Sequence, residues 1–276
     1  MIQRFFTNSW AIEPRYHERM ALVVLRGHLA MVNDSEKERV LPRYELSSSS
    51  EDSHSSKAKT DDKRVAIIPL IGTMSRYGDW CSYGTEDISQ WVMEANADDR
   101  VIGIVMEMNS PGGEVDGTEL LAEVVRQSGK PVVCYVSGMA ASAAYWVASQ
   151  SDWIVMESAV TSEVGSIGVL AMHVDARKSY EKAGYQVTII RAEGSENKAL
   201  FNSVEPISEE LIQAVRDEMK PIRTHFLGSV RAGRPSISEK VFDGRMHAGQ
   251  EAIGLGMADQ IGYLGDAILK VVELAN

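Results

Sequence analysis

Cysteine and histidine are scarce in this chain of 276 residues, and neither is arranged as a metal site would require. The two cysteines, Cys81 and Cys134, lie outside any CxxC motif, so we expect buried free thiols in a reducing compartment. The six histidines are spread along the chain, and no pair has the spacing of metal ligands on a helix. The sequence therefore predicts no metal site and no cofactor.

Positive charge is also in short supply. The chain has 28 Lys and Arg residues against 39 Asp and Glu residues, which gives a formal net charge of -11. Proteins that bind nucleic acid usually carry a basic face, and no sustained Lys/Arg cluster with interleaved aromatic residues occurs in this sequence. We therefore expect partners other than nucleic acid.

Long apolar runs are rare as well. The first eight residues have no apolar core of signal-peptide length, so we expect a cytoplasmic protein without a membrane anchor. The uncharged run 131–151 is just long enough to span a bilayer. Its first half is rich in β-branched residues and its second half in alanine, which predicts a buried strand followed by a buried helix.

The polar composition of residues 46–63 indicates a flexible linker. This stretch is dominated by serine and acidic residues, which bury too little apolar surface to offset the entropy lost on ordering. It divides the chain into an N-terminal segment, residues 1–45, and a main domain, residues 64–276. The segment is too short for a dependable core, so we expect it to dock on the main domain or on a neighbouring subunit.

The main domain alternates apolar strands with amphipathic helices. This order predicts an α/β fold with a largely parallel sheet covered by helices. The pattern predicts strands over residues 65–70, 101–106, 132–136, 153–156, 169–174 and 187–190. It predicts helices over residues 86–97, 118–127, 141–149, 176–183 and 208–231, followed by a C-terminal helical region.

Ser142 is the candidate nucleophile. It lies in a run of small residues, 138–145 (GMAASAAY), at the predicted turn from a strand into a helix. Few bulky side chains surround its hydroxyl, so the backbone of a substrate has room to approach it. The same composition also permits close helix packing, and on these residues alone the purely structural interpretation stays open.

A Pro-Gly-Gly turn follows the strand that ends near Met108. In residues 109–113 (NSPGG) the proline restricts φ, and the two glycines let the backbone turn with its amides exposed. Exposed amides at a strand end suit a developing oxyanion. A plain tight turn is the alternative interpretation.

A serine nucleophile needs a base, and no histidine lies in a catalytic pattern. His173 ends a predicted apolar strand, and we expect it to be a satisfied core or edge residue. Lysine is the remaining base type, and a lysine acts as a base only when it is neutral, which requires burial. Lys198, in the loop 191–201, is a candidate, although spacing alone does not distinguish it from a solvated loop lysine.

Five short motifs follow one another through residues 64–276. They are 109–113 (NSPGG), 138–145 (GMAASAAY), 161–169 (TSEVGSIGV), Lys198 with its flanks, and 241–245 (VFDGR). In this order they resemble the signal peptide peptidase A-like family of serine–lysine peptidases, within the Clp-protease/crotonase superfamily. The resemblance implies an α/β Clp-protease/crotonase-like fold of repeated β-β-α units with a C-terminal helical region.

The resemblance also implies roles for single residues. Ser142 matches the nucleophile and Lys198 the general base of the family, while Ser166 matches a serine that holds the lysine ammonium in place. The backbone N–H of Gly113 matches an oxyanion donor, and we assign the amide of Ala143 as a second or supporting donor. The implied reaction is endopeptidase cleavage of a polypeptide through an acyl-enzyme.

The chain departs from the membrane-bound members of this family. It reads Ala-Ser-Ala-Ala around Ser142, where those members often have Ala-Ser-Gly-Gly, and Glu193 and Glu196 stand near Lys198. An acidic neighbour stabilises an ammonium and opposes the use of lysine as a base. A catalytically degenerate assembly protein is therefore one alternative, and an acyl-CoA enzyme of the crotonase type is another.

The expected lack of an anchor, the motif 9–12 (SWAI) and the serine linker resemble the soluble phage and prophage branch of the family. Members of that branch are encoded with capsid genes. The likeness implies a homo-oligomer that processes capsid or scaffold proteins during head maturation, in the host cytoplasm or in the prohead. A signal-peptide peptidase or a general protein-quality-control peptidase is the alternative role.

Overall fold

The computed structural model describes residues 10–12, 40–46, 63–78 and 82–276. Cys81 and most of the predicted linker lie outside these residues. The described strands are β1 (Trp10–Ile12), β2 (Arg43–Leu46), β3 (Arg64–Ile71), β4 (Val101–Ser110), β5 (Gly112–Glu114), β6 (Val132–Ala141), β7 (Trp153–Met156), β8 (Glu163–Gly165), β9 (Met246–Ala248) and β10 (Gln260–Ile261). The described helices are α1 (Thr85–Ala97), α2 (Thr118–Arg126), α3 (Ala143–Ala148), α4 (Arg177–Lys182), α5 (Glu209–Gly233), α6 (Gly249–Gly254) and α7 (Leu264–Leu274).

Eight of the described strands form the main sheet, in the order β10-β7-β6-β4-β3-β2, with β8 and β9 joined to the end of β6. The neighbouring pairs along the order β10-β7-β6-β4-β3 are parallel, and so is β6 with β8, whereas β8 pairs antiparallel with β9. The antiparallel strand β2 closes one edge, so the end of the predicted N-terminal segment belongs to this sheet. β1 pairs antiparallel with β5 as a separate two-stranded sheet. The predicted α/β fold with a largely parallel sheet is confirmed.

Helices cover both faces of the sheet because its central strands are apolar on both sides. In β3, Val65 and Ile67 belong to a smaller core that α7 closes with Val271. Their neighbours Ala66 and Ile68 belong to the larger core on the other face, which α1, α2, α3 and the end of α5 cover. This two-sided burial holds the carboxyl ends of the strands in one rigid edge.

β6 is longer than its sequence pattern predicts. The prediction ends at Val136, but the strand continues through Ser137 and Gly138 to Ala141. Its first half pairs with β4 and β7, and its last three residues pair with β8. Together β6 and α3 account for most of the uncharged run 131–151. In the part of the chain that the structure describes, every helix is too short or too polar to traverse a bilayer.

The segment from Gly168 to His225, which we call the arm, has no core of its own. All of its residues are described, and none of them is buried. The predicted strands at 169–174 and 187–190 are wrong, since neither range forms a strand. The physical reason is that β8, which precedes them, pairs with β6 and β9 and leaves these apolar residues no sheet to join. The two predicted arm helices are present as α4 and α5, and only the last two turns of α5 are buried.

Candidate active site

Ser142 stands at the junction of β6 and α3, in a backbone conformation that is rare for a residue with a side chain. Its φ is 55° and its ψ is -116°, so the chain makes a sharp turn from strand to helix. The turn is held because the Ser142 N–H donates to the carbonyl of Gly165 at 2.7 Å, and its carbonyl accepts from the N–H of Trp146 at 2.9 Å. The hydroxyl is 1% exposed and donates to the carbonyl of Gly168 at 3.4 Å. Such a turn presents a hydroxyl at the edge of a sheet.

Ser166 lies beside Ser142 because β6 and β8 run parallel and end together. Ala141 is paired with Gly165, and the two serines are the next residues of their chains. Ser166 is also buried with a positive φ of 53°, and its N–H donates to the carbonyl of Arg245 at 2.8 Å. The register of β6 and β8 therefore places Ser142 and Ser166 at the same end of two neighbouring strands.

A buried residue that the sequence did not single out, Ser110, holds the Pro-Gly-Gly turn. Its hydroxyl donates to the carbonyl of Gly72 at 2.6 Å and accepts from the N–H of Gly112 at 3.2 Å. Gly112 has a φ of 88°, which a residue with a side chain rarely adopts. At Gly113 a Cβ would stand 1.9 Å from the carbonyl oxygen of Met74. The only sequence signal for Ser110 was its position immediately before the proline.

The backbone amides of Gly113 and Ala143 both lie at the Pro-Gly-Gly turn. The Met74 N–H donates to the carbonyl of Gly112, and the N–H of Glu114 donates to the Met74 carbonyl, each at 2.9 Å. Since backbone groups of successive strand residues point to opposite edges, the N–H of Gly113 faces away from Met74. The nitrogen of Ala143 is also near this turn, 2.9 Å from where a Cβ on Gly112 would stand. Two donors at this point are suited to stabilise an oxyanion.

Lys198 is exposed on the arm, and the structure does not bring it to Ser142. Its N–H donates to the carbonyl of Ser195 at 3.0 Å, and its carbonyl accepts from Nε of Arg191 at 2.6 Å. Among the described residues, the Lys198 amine has no hydrogen bond or ion pair. The fold therefore gathers Ser142, Ser166 and the two amide donors, and leaves the predicted base apart from them.

An ion pair that sequence reasoning missed organises the loop around Lys198. The guanidinium of Arg191 binds both carboxylate oxygens of Glu205, at 2.9 and 2.5 Å, and also the carbonyl of Ala199 at 3.0 Å. The amide of Asn202 donates to the same carboxylate at 2.8 Å. These contacts, with Arg191 first, lower the pKa of Glu205 to about 2. The two partners are 14 residues apart in an irregular loop, so no periodic pattern indicates the pair.

The acidic residues near Lys198 do not pair with it. The carboxylate of Glu196 accepts from the N–H of Gly194 at 2.9 Å, and backbone N–H groups, its own first, hold its pKa below the ordinary value. Within the described residues no ion pair joins Lys198 to Glu193 or to Glu196. The arrangement does not show the acidic contact that would favour a charged lysine.

A cavity of about 400 Å³ adjoins Ser166, between the start of the arm and the turn near Phe242. Its lining residues come from β1, the start of the arm, α5 and the turn before β9, and they are Ile12, Ser166, Ile167, Gly168, Val169, Leu170, Arg223, Phe242, Asp243 and Gly244. The lining is mixed, with apolar side chains, one arginine and one aspartate. This is the kind of pocket that receives one side chain of a bound peptide.

The remaining sequence candidates take no part in this site. His173 contacts the carbonyl of Asn202 at 2.7 Å and the ring of Phe201, so it is a satisfied arm residue. Cys134 is a buried free thiol, as predicted, and burial raises its pKa to about 12. No group of three or more His, Cys, Asp or Glu side chains that could hold a metal occurs in the described ranges.

Comparisons with family models agree with the resemblance of the motifs. A model of peptidase family S49 matches residues 125–276, which include Ser142, Ser166 and Lys198. A model of Clp protease matches residues 82–157, which contain the Pro-Gly-Gly turn. Both the predicted family and the predicted Clp-protease-like fold are confirmed.

Curated relatives include cellular and phage proteases. Protease 4 of Haemophilus influenzae is 28% identical over 222 residues, 77% of this chain and 35% of that protein. Capsid assembly protease C of Escherichia phage lambda is 30% identical over 213 residues, 74% of this chain and 48% of that protein. Head-tail preconnector protein GP5 of Enterobacteria phage P21 is 30% identical over 223 residues, 77% of this chain and 43% of that protein. The chain thus spans less than half the length of each of these three relatives.

Solved structures with similar chains include two of the 1510-N membrane-bound stomatin-specific protease. Each match covers 74% of this chain, and 77% and 82% of the other chain. The identities are 18% and 17%, and the TM-scores are 0.46 and 0.48. At this level the likeness carries no information about the residues of the site.

Proposed function

The chain belongs to peptidase family S49, and on that basis we propose that it is a serine endopeptidase with Ser142 as its nucleophile and Lys198 as its general base. The observation that carries the proposal is the geometry around Ser142. A buried hydroxyl stands on a strained strand-to-helix turn, and the backbone amides of Gly113 and Ala143 come together near it at the Pro-Gly-Gly turn. Such strain and convergence are typical of a nucleophile with an oxyanion site, and a serine that only packs a helix needs neither.

The proposed reaction follows from these groups. A neutral Lys198 amine takes the proton of the Ser142 hydroxyl as the oxygen attacks a peptide carbonyl. The amides of Gly113 and Ala143 donate to the oxyanion that forms. The lysine ammonium then protonates the leaving amine, which gives the acyl-enzyme, and water hydrolyses that ester. Ser166, beside Ser142 at the end of β8, would hold the amine of Lys198 toward the nucleophile.

We propose that Lys198 reaches Ser142 in a homo-oligomer. The arm that carries it has apolar side chains in contact with solvent, among them Tyr185, Val187 and Ile190, which is 91% exposed. A segment with no buried residue of its own gains order by packing against another surface. A second copy of the chain supplies that surface, and the same contact would exclude water around the lysine, as its use as a base requires.

The proposed role is the processing of capsid or scaffold proteins during phage head maturation. Support comes from the two phage relatives, which are 30% identical to this chain and carry names of capsid assembly and head–tail connection. The proposed setting is therefore the host cytoplasm or the prohead. The domain division proposed for this function assigns residues 64–276 to the peptidase, with the N-terminal segment contributing β1 and most of β2 to its sheets.

Labelling with a fluorophosphonate tests the proposed chemistry. We expect the assembled protein to be modified at Ser142, and Ser142→Ala to abolish the label without loss of fold. Ser149→Ala is the matched control, since Ser149 is a buried serine at the end of the same helix, bonded to the carbonyl of Trp146 at 2.8 Å. Folded, assembled protein that is never labelled would favour the degenerate assembly protein over the peptidase.

A further inference from the structure

A strand of the chain itself lies across the proposed active site. β1 runs antiparallel to β5, with Trp10 opposite Glu114, Ala11 opposite Gly113 and Ile12 opposite Gly112. One edge of β5 is hydrogen-bonded to Met74, and β1 pairs with the opposite edge. An extended peptide that adds to a free strand edge is a common way for a protease to bind a substrate backbone.

The carbonyl of Ala11 lies at the proposed oxyanion site. Its oxygen is 2.3 Å from the point where a Cβ on Gly112 would stand, and the nitrogen of Ala143 is 2.9 Å from the same point. Gly113, whose N–H faces this edge, is the residue directly opposite Ala11. The carbonyl of Ala11 therefore lies close to Ala143 and opposite Gly113, the two residues whose amides are the proposed oxyanion donors.

The side chains of β1 are enclosed as those of a bound substrate would be. Ala11 is 0% exposed and Ile12 is 2% exposed. Ile12 is one wall of the cavity beside Ser166, together with Ile167, Leu170 and Phe242. Ser142 is also almost fully covered, at 1% exposure. Because Ala11 is fully enclosed, position 11 favours a small residue.

We propose that this strand is a substrate of the active site that it covers, with the peptide bond between Ala11 and Ile12 presented for cleavage. The inference rests on the proposed function and names its first substrate, an extended strand with a small residue before the cut bond and a branched apolar residue after it. Oγ of Ser142 forms an ester with the carbonyl carbon of Ala11 as the bond to nitrogen of Ile12 breaks. The proton of Ser142 passes through the base to that nitrogen. Water then cleaves the ester, which frees residues 1–11 with a new carboxylate and restores the hydroxyl.

Mass spectrometry of the intact full-length protein tests the proposal. We expect the assembled wild type to lose residues 1–11 and to begin at Ile12, and Ser142→Ala to keep them. Ala11→Arg adds a side chain that the enclosed position does not hold, so this variant should also keep residues 1–11. Val40→Arg is the matched control, because Val40 is an exposed residue ahead of β2, and it should be processed like the wild type.

Fluorophosphonate labelling of the same samples separates this proposal from the proposed function. Ala11→Arg should be labelled at Ser142 at least as fast as the wild type, since β1 no longer covers the hydroxyl. If Ser142 reacts with the probe but residues 1–11 stay attached, or the cut falls at another bond, the self-cleavage proposal is wrong and the peptidase proposal stands. If Ser142 fails to react in Ala11→Arg as well, the peptidase proposal itself fails, and self-cleavage with it.

Discussion

The two halves of the proposed catalytic pair lie in regions of opposite character. Ser142 belongs to the body, by which we mean the described residues of 63–167 and 226–276, where strands are buried on both faces. Lys198 belongs to the arm, none of whose residues is buried. The body holds the turn at Ser142 through backbone hydrogen bonds of 2.7 to 2.9 Å, whereas a partly buried ion pair between Arg191 and Glu205 organises the loop of Lys198.

The difference indicates where the free energy for assembling the site comes from. In the body, the packing that folds the chain also holds Ser142 in a strained turn, so the proposed nucleophile and its proposed oxyanion donors are preorganised. In the arm, few buried contacts oppose local motion, and order has to come from a further surface. Changes in the body should therefore affect fold and activity together, and changes in the arm should affect activity and assembly while the fold remains.

The largest effect is expected from Gly113→Ala in the body. The added Cβ would stand 1.9 Å from the carbonyl oxygen of Met74, so the strand β5 has to move. We expect a loss of about 3 kcal/mol in the free energy of unfolding and no detectable peptidase activity. Gly129→Ala is the control, because a Cβ there meets nothing within 4 Å, and it should change stability by less than about 0.5 kcal/mol. Urea denaturation of both variants measures the contrast, and equal stabilities would contradict it.

Lys198→Ala should separate the two regions most clearly. The side chain is exposed and without a bonded partner among the described residues, so its removal should leave the melting temperature unchanged. Peptide cleavage should fall by at least about 10³-fold if the amine is the general base. Lys178→Ala alters another exposed lysine of the arm and should retain full activity. Comparable cleavage by both variants would exclude Lys198 as the base.

The body was the more predictable region because its signals are local. The strand 153–156 is predicted with the bounds that the structure has, since an apolar run between turns needs no distant partner to be recognised. The extension of β6 beyond Val136 was missed because Ser137 and Gly138 have the composition of a turn, and their strand structure depends on pairing with β8. The pairing of β1 with β5 joins residues about a hundred positions apart, and neither short segment has a strand pattern.

In the arm, a local sequence pattern predicted a strand that the structure does not contain. Residues 187–190, three of which are apolar, have the local pattern of a strand, but a strand needs a neighbour, and none of the described strands pairs with them. Likewise, the order of the motifs indicated Lys198 as the candidate base. It did not predict the ion pair of Arg191 with Glu205, which organises the loop around that lysine. An apolar, β-branched run therefore forms a strand only where the fold provides a neighbouring strand for it to pair with.

A smaller effect should follow from Ile190→Asp, which tests whether the arm packs against a second copy. Ile190 is 91% exposed, so a charge there costs nothing in the isolated chain but opposes burial in an assembly. We expect about tenfold weaker self-association, measured by analytical ultracentrifugation, and a parallel loss of cleavage at low protein concentration. Val160→Asp, at a residue of the body that is 77% exposed, is the control and should assemble normally. Identical behaviour of the two variants would place the interface elsewhere.

The smallest effect is expected from Glu205→Gln, which alters the ion pair in the loop around Lys198. The amide keeps the shape of the carboxylate but loses its charge, so Arg191 is held less firmly, and cleavage should fall by less than about fivefold. Glu181→Gln, at another exposed residue of the arm, should have no effect.

The ion pair of Arg191 with Glu205 should also depend on pH. Because the pKa of Glu205 is lowered from 4.5 to about 2, the ion pair is complete above pH 4.5 and is lost as the pH falls toward 2. An NMR titration of the Glu205 carboxyl carbon should therefore have its midpoint near 2. A midpoint near 4.5 would mean that the loop is as loosely held as the rest of the arm, and the contrast between arm and body would then be greater still.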